Sequence, residues 1–301
     1  MNKIKKAIIP IGGLGTRFLP LSKILPKELF PLVDRPVLQY IIEEAVSSGI
    51  EEIIFVTNPK KIEITDYLKK YFEESPELTK ILEQRQKNKI LNELSKTEEI
   101  SRKVSFSQVI QKEPLGDGHA LLQAKREVNG PIAALWGDDV VESETPCLLQ
   151  LIKAYEKYQK PVIALCRIPK ERLPYYGVAE VEKNGENTYK IKSLVEKPSI
   201  EEAPSNLAVV GKYILTPEVF QYLSEGKPGK GGEIVLSENL QRMIADGKEI
   251  IGCEIQGKWL ECGNKQEWLK SHIYLSAKHP VFGPEIMAQI KEIQNESQAN
   301  H

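Results

Sequence analysis

The chain has 301 residues and 41% hydrophobic content, enough for one large α/β domain or two small ones with a core that needs no disulfides. Charge is abundant but balanced, 41 basic against 42 acidic residues for a net of −1, which excludes a generally basic nucleic-acid binder and leaves room for local anion sites. Cys147, Cys166, Cys253 and Cys262 are widely spaced without a C-x-x-C, so neither zinc nor a disulfide framework is expected and a reduced, cytoplasmic compartment fits. No apolar run has membrane-spanning length, so no membrane partner is expected.

The apolar run after MNKIKK is too short for a signal peptide and passes straight into a glycine loop. Ala7 to Ile11 reads as a buried first strand. Gly12, Gly13, Gly15, Thr16 and Arg17 follow, with Lys23 and Lys27 close behind. Glycines expose backbone amides to a ligand, and amides in such a turn form an anion-binding concavity. The density of Gly, Thr, Arg and Lys predicts a phosphate site at the mouth of a parallel sheet. It is not a P-loop, which needs Lys-Ser/Thr after its glycines. Nor is it a dinucleotide fingerprint, because Phe18 stands where the third glycine belongs.

Pro36 to Ser48 is predicted as a helix with Gly49 as its C-cap, then Ile53 to Thr57 as a second buried strand in a parallel crossover. Residues 62–103 are rich in Lys, Glu, Gln and Asn with helical apolar spacing and read as two or three inserted surface helices. Val104 to Ile110 reads as a strand, Gly116 and Gly118 as a flexible loop, and Ala120 as a helix start. Pro131 to Trp136 is a third core strand, ending in Gly137, Asp138 and Asp139. Thr145 to Tyr158 is a helix with Thr145 as N-cap, and Pro161 to Ile168 a strand. Tyr176 to Ile214 changes to β-rich segments, read as an antiparallel or mixed extension over the crevice. Helices at 218–224 and 236–245, strands at 250–255 and 258–260, a helix at 265–277 and a tail helix at 286–294 complete the reading. The fold expected is α/β and Rossmann-like, a mixed but mainly parallel sheet flanked by helices, in one domain over 1–301.

Read alone, several residues keep two meanings. Asp138 and Asp139 are either crevice carboxylates or a solvated turn; Glu196-Lys197-Pro198 reads most simply as an exposed strand end. His119 is expected to be positional, Trp136, Trp259 and Trp268 to be core, and the cysteines to be inert. No Ser-His-Asp or Cys-His set stands out.

The segment GGLGTRFLPLSKILPKELFPLVDRPVLQY resembles the G-x-G-T-R…P-K signature of the sugar-nucleotide pyrophosphorylases, and within them the bacterial UTP–glucose-1-phosphate uridylyltransferase family. QKEPLGDGHA, LWGDDV, YYGVAEV, VEKP, SNLAVVGKY, GGEIVLSENL and ECGNK continue the match in order, from Lys5 to about Lys278. The resemblance implies UTP and glucose 1-phosphate as substrates, Mg²⁺ as cofactor, and a homo-oligomer, dimer or tetramer. It assigns Gly12, Gly13, Gly15 and Thr16 to the nucleotide, Arg17 and Lys27 to the triphosphate and leaving group, and Glu28, Gln111 and Gly116 to the uracil. Asp138 matches the metal ligand, with Asp139 the neighbouring alternative. Gly177, Glu196 and Lys197 match the sugar-phosphate site, in a β-rich part spanning about 170–262. Thymidylyl transfer, another sugar 1-phosphate such as GlcNAc-1-phosphate, or a non-catalytic regulator are the rival readings.

One departure stands out. The family carries Asp before the C-G of its late motif, and this chain has Glu261, one methylene longer. Glu261 is expected at the metal site, directly or through water. The chemistry needs no general base, because a phosphate monoester with a second pKa near 6 is already anionic at neutral pH. It needs alignment and neutralisation of crowded charge.

Overall fold

The computed structural model describes residues 3–226, 229 and 232–299. Gly231, which opens the GGEIVLSENL motif, lies outside the described residues, as do the chain's first two and last two.

In chain order the strands are β1 (Lys6–Pro10), β2 (Pro31–Leu32), β3 (Arg35–Pro36), β4 (Glu52–Thr57), β5 (Ser105–Ile110), β6 (Ile132–Leu135), β7 (Asp139–Glu142), β8 (Val162–Arg167), β9 (Gly177–Lys183), β10 (Thr188–Glu196), β11 (Leu207–Leu215), β12 (Ile251–Glu254) and β13 (Lys258–Glu261). Nine of them form one sheet in the order β5-β4-β1-β6-β11-β8-β12-β10-β9. From β5 to β6 every pairing is parallel, as the apolar runs and crossover connections predict. The expectation of a mainly parallel sheet stops there. β11 runs antiparallel to both β6 and β8, and β10 antiparallel to both β12 and β9; only β12 with β8 restores a parallel pair. The β-rich stretch is therefore a continuation of the same sheet.

Side chains alternate across the strands, and both faces are buried. Ala7, Ile9, Ile53 and Phe55 pack with the helices Val37–Ser47 and Cys147–Tyr158. Ile8, Ile54 and Val56 pack with Asp117–Gln123, Pro217–Glu225 and Leu236–Ala245 on the other face. Gly49, at φ 89°, follows the first helix as its sequence position predicts. The insertion resolves into three helices, Ile64–Phe72, Pro76–Gln84 and Asn88–Lys103, which bury only Ile64, Leu68, Phe72 and Ile100 among their larger apolar side chains.

The helix expected from Thr145 begins at Cys147 after Pro146, and no side chain of its own caps it. A tertiary partner does so instead: Glu44 Oε1 accepts from the Leu148 N–H at 2.8 Å, while Glu44 Oε2 sits 3.0 Å from the fully buried Lys212 Nζ. The tail helix runs over Gly283–Ala299, longer than its weak amphipathic pattern indicated.

Candidate active site

Two small pairings decide where the site forms. β7 leaves the C-terminal end of β6 and pairs antiparallel with β13, placing Asp139 opposite Glu261, residues 122 positions apart in the chain. The Cys262 N–H donates to the Asp138 carbonyl at 2.8 Å and fixes that register. On the far side, β10 ends at Glu196 directly opposite Gly177, the first residue of β9. Between these walls lies a cavity of about 250 Å³ lined by Arg17, Asp138, Gly177, Glu196, Lys197 and Glu261, among others. With Asp139, seven of the sequence-selected residues thus share one cavity, and an eighth joins through an ion pair, Lys27 Nζ to Asp138 Oδ2 at 2.5 Å.

The nucleotide-side residues group beside it. Gly15 takes φ 64° and its carbonyl accepts from Ser22 Oγ at 2.7 Å, while Gly13 and Thr16 are exposed on the same loop. Gln111 Nε2 donates to the Gly116 carbonyl at 3.0 Å and contacts His119 Nδ1 at 3.1 Å. Gly116 is held at φ 99° so close to Ile234 that a Cβ would meet its carbonyl oxygen at 2.6 Å. Glu28, only 2% exposed, pairs with Lys61 Nζ at 2.9 Å, and Lys61 also donates to the Ile11 carbonyl at 3.2 Å. Asn58 Nδ2 donates to the Gly12 carbonyl. Sequence reading missed Asn58 and Lys61: both sit in a polar N-P-K-K run with the composition of a solvated turn.

The two adjacent aspartates have different surroundings. Asp139 also lines the cavity but is held by protein donors, accepting from Trp259 Nε1 at 2.7 Å and from the Gly211 N–H at 3.2 Å. Burial, then the Asp138 and Glu261 charges, push its carboxyl up to about 7. Asp138 faces the cations. Burial opposes its charge, but the Lys27 ion pair and then Arg17 hold its carboxyl below the usual range. Lys27 is raised in turn: burial works against its ammonium form, and Asp138, Glu28 and Asp139 more than offset it. Trp136 and Trp259, expected in the core, line the cavity. Trp268 packs edge-on against Phe18 and Phe30.

Glu261 is 8% exposed. Its carboxylate accepts from the Tyr176 hydroxyl and from Asn264 Nδ2 at 3.2 Å, with Arg172 Nη2 at 3.5 Å. Burial raises its carboxyl, against the Tyr176 hydrogen bond that lowers it. Asp138 Oδ2 and Glu261 Oε1 both converge beside Gly263, 3.1 and 3.3 Å from where a side chain there would begin. Among the described residues no group of three or more His, Cys, Asp or Glu forms a ready metal cage. Two converging carboxylates could hold a hard divalent cation that completes its shell with water and other oxygen donors. Among the described residues no helix is long and apolar enough to cross a membrane.

The chain is similar to known proteins over most of its length. A family model described as nucleotidyl transferase matches residues 6–277. A UTP–glucose-1-phosphate uridylyltransferase of Bacillus subtilis (strain 168) is 42% identical over 266 residues, 88% of each chain. A crystal structure of a UDP-glucose pyrophosphorylase complexed with UDP-glucose superposes with a TM-score of 0.82 at 38% identity, covering 92% of this chain and 100% of the other. A UTP-bound enzyme of the same kind from Acinetobacter baumannii gives 0.83 at 37% identity, covering 96% and 99%.

Proposed function

The chain belongs to the nucleotidyl transferase family, and we propose that it transfers a uridylyl group from UTP to α-D-glucose 1-phosphate, giving UDP-glucose and pyrophosphate. The observation that carries this reading is the convergence of Arg17, Lys27 and Asp138 on the cavity that also holds Gly177, Glu196 and Lys197.

The glucose 1-phosphate oxygen attacks the α-phosphorus in line, and the bond to the β-phosphate oxygen breaks as pyrophosphate leaves. Lys197 holds the attacking phosphate, and Glu196 accepts hydrogen bonds from sugar hydroxyls. Gly177 leaves room for that carboxylate, since a Cβ there would press on Glu196 Oε2 at 3.2 Å. Arg17 and Lys27 neutralise the triphosphate and the departing pyrophosphate. Lys27 exchanges its bond to Asp138 for substrate oxygens, whose negative charge favours its ammonium form as Asp138 does in the free protein. The backbone of Gly12, Gly13, Gly15 and Thr16 cradles the nucleotide. Glu28, Gln111 and the Gly116 amide read uracil, whose imide offers one donor between two acceptors. Asp138 and Glu261 would hold Mg²⁺, which when bound supplies charge neutralisation at the phosphates. The reading includes a cytoplasmic homo-oligomer, dimer or tetramer, which light scattering and cell fractionation check.

The test is pyrophosphate release from a panel of nucleoside triphosphates and sugar 1-phosphates with Mg²⁺. UTP with glucose 1-phosphate is expected to be the best pair. Strong activity with dTTP beside negligible activity with UTP would reject the base assignment, and UDP-glucose binding without turnover would reject catalysis.

A further inference from the structure

Tyr176 touches both walls of the cavity. Its backbone carbonyl accepts from the Lys197 N–H at 3.1 Å, and it directly precedes Gly177. Its hydroxyl donates to Glu261 Oε2 and accepts from Arg172 Nη2 at 2.8 Å. Arg172 is itself anchored on Glu267 at 3.1 Å and lies over the Tyr176 ring, 5.5 Å from its centre. The other side of the ring environment is Trp259 at 4.9 Å, whose indole N–H holds Asp139. One residue thus connects the two walls, its backbone carbonyl holding Lys197 and its side chain holding Glu261 directly and Asp139 through Trp259.

The connection also accounts for the extra methylene of Glu261. β13 fixes the backbone of residue 261 opposite Asp139. A carboxylate one methylene shorter, on that same backbone, would sit farther from the Tyr176 hydroxyl. Arg172, Tyr176 and Asn264 supply donors where the longer side chain ends.

We infer that Tyr176 is a positioning residue for the transfer reaction, holding Glu261 aimed at the metal site and locking that carboxylate in register with Lys197; this rests on the function proposed above. Partners that orient a metal-binding carboxylate cost 10- to 100-fold in metal affinity or activity when removed.

The experiment measures Mn²⁺ binding by electron paramagnetic resonance in the presence of UDP-glucose, together with turnover and thermal stability, for wild type, Tyr176→Phe, Glu261→Asp and the double variant. Tyr176→Phe keeps the ring and the backbone carbonyl and removes only the hydroxyl. Its Mn²⁺ affinity is expected to fall about 10-fold, with the KM for UTP unmoved and the melting temperature close to wild type. On the Glu261→Asp background the same substitution is expected to add nothing further. Unchanged Mn²⁺ affinity in Tyr176→Phe, or full additivity in the double variant, overturns the inference while wild-type turnover stands. A wild type without turnover overturns the functional reading itself.

Discussion

The two walls of the cavity are built by different devices. The first comes from loops that leave the parallel strands β1 and β6 and carries Arg17, Lys27 and Asp138, tied to one another by charge. The second comes from the antiparallel strands β9 and β10, where Glu196 and Lys197 are exposed and pair only loosely with each other, at 3.6 Å. A preorganised ion-paired wall suits the nucleotide triphosphate, whose charge must be met as it develops on the leaving group. A looser wall leaves Glu196 and Lys197 free to turn toward the sugar phosphate that the proposed function assigns to them.

The comparison breaks most severely at Lys27. Lys27→Met is expected to lower kcat on the order of 10²–10³-fold with a small change in either KM, because its charge acts on the leaving group in the transition state. Stopped-flow pyrophosphate release measures it. Lys197→Ala is next: the KM for glucose 1-phosphate is expected to rise roughly 10- to 100-fold, the worth of one charge-assisted bond, with the KM for UTP unmoved. Equal changes in both constants would erase the division between the walls.

The adjacent carboxylates sharpen the same contrast. Asp139→Asn is expected to change kcat less than about 10-fold while lowering stability by about 1–3 kcal/mol, since an amide NH₂ would then face either the Trp259 indole N–H or the Gly211 N–H. Denaturant melts alongside kinetics separate the two effects. The smallest effect belongs to the inserted helices, which form neither wall: Leu78→Gln, at a position 44% exposed, is expected to stay within about 0.5 kcal/mol of wild-type stability with unchanged kinetics.

The glycine and cation part of the first wall was legible in the sequence, while Asp138 and Asp139 read equally as a solvated turn until the family resemblance singled out Asp138. A buried strand followed at once by glycines and cations, and another ending in two aspartates, place their loops at one edge of a parallel sheet. The second wall was not, because Glu196-Lys197-Pro198 has the composition of any exposed strand end and only the family resemblance singled it out. Tyr176 to Ile214 was read as antiparallel or mixed, but how far this would outweigh the parallel pairs in the one sheet was hidden. Whether β11 runs with or against β6 depends on the connection that brings it beside that strand, and its own apolar sequence suits either. Thr145 failed as a cap for a related reason: Glu44, from a helix far away in the chain, supplies the acceptor at that helix start. Lys61 and Tyr176 matter through what they touch in three dimensions, and no local spacing marks them.

The most direct test of the two-walled site is a crystal structure with UDP-glucose and Mg²⁺. The account predicts the glucose hydroxyls on Glu196, the diphosphate between Lys197 and Arg17, the metal on Asp138, and the uracil against Glu28 and Gln111. A ligand seated elsewhere, or one that leaves Lys27 and Asp138 on a separate surface from Lys197, would contradict it.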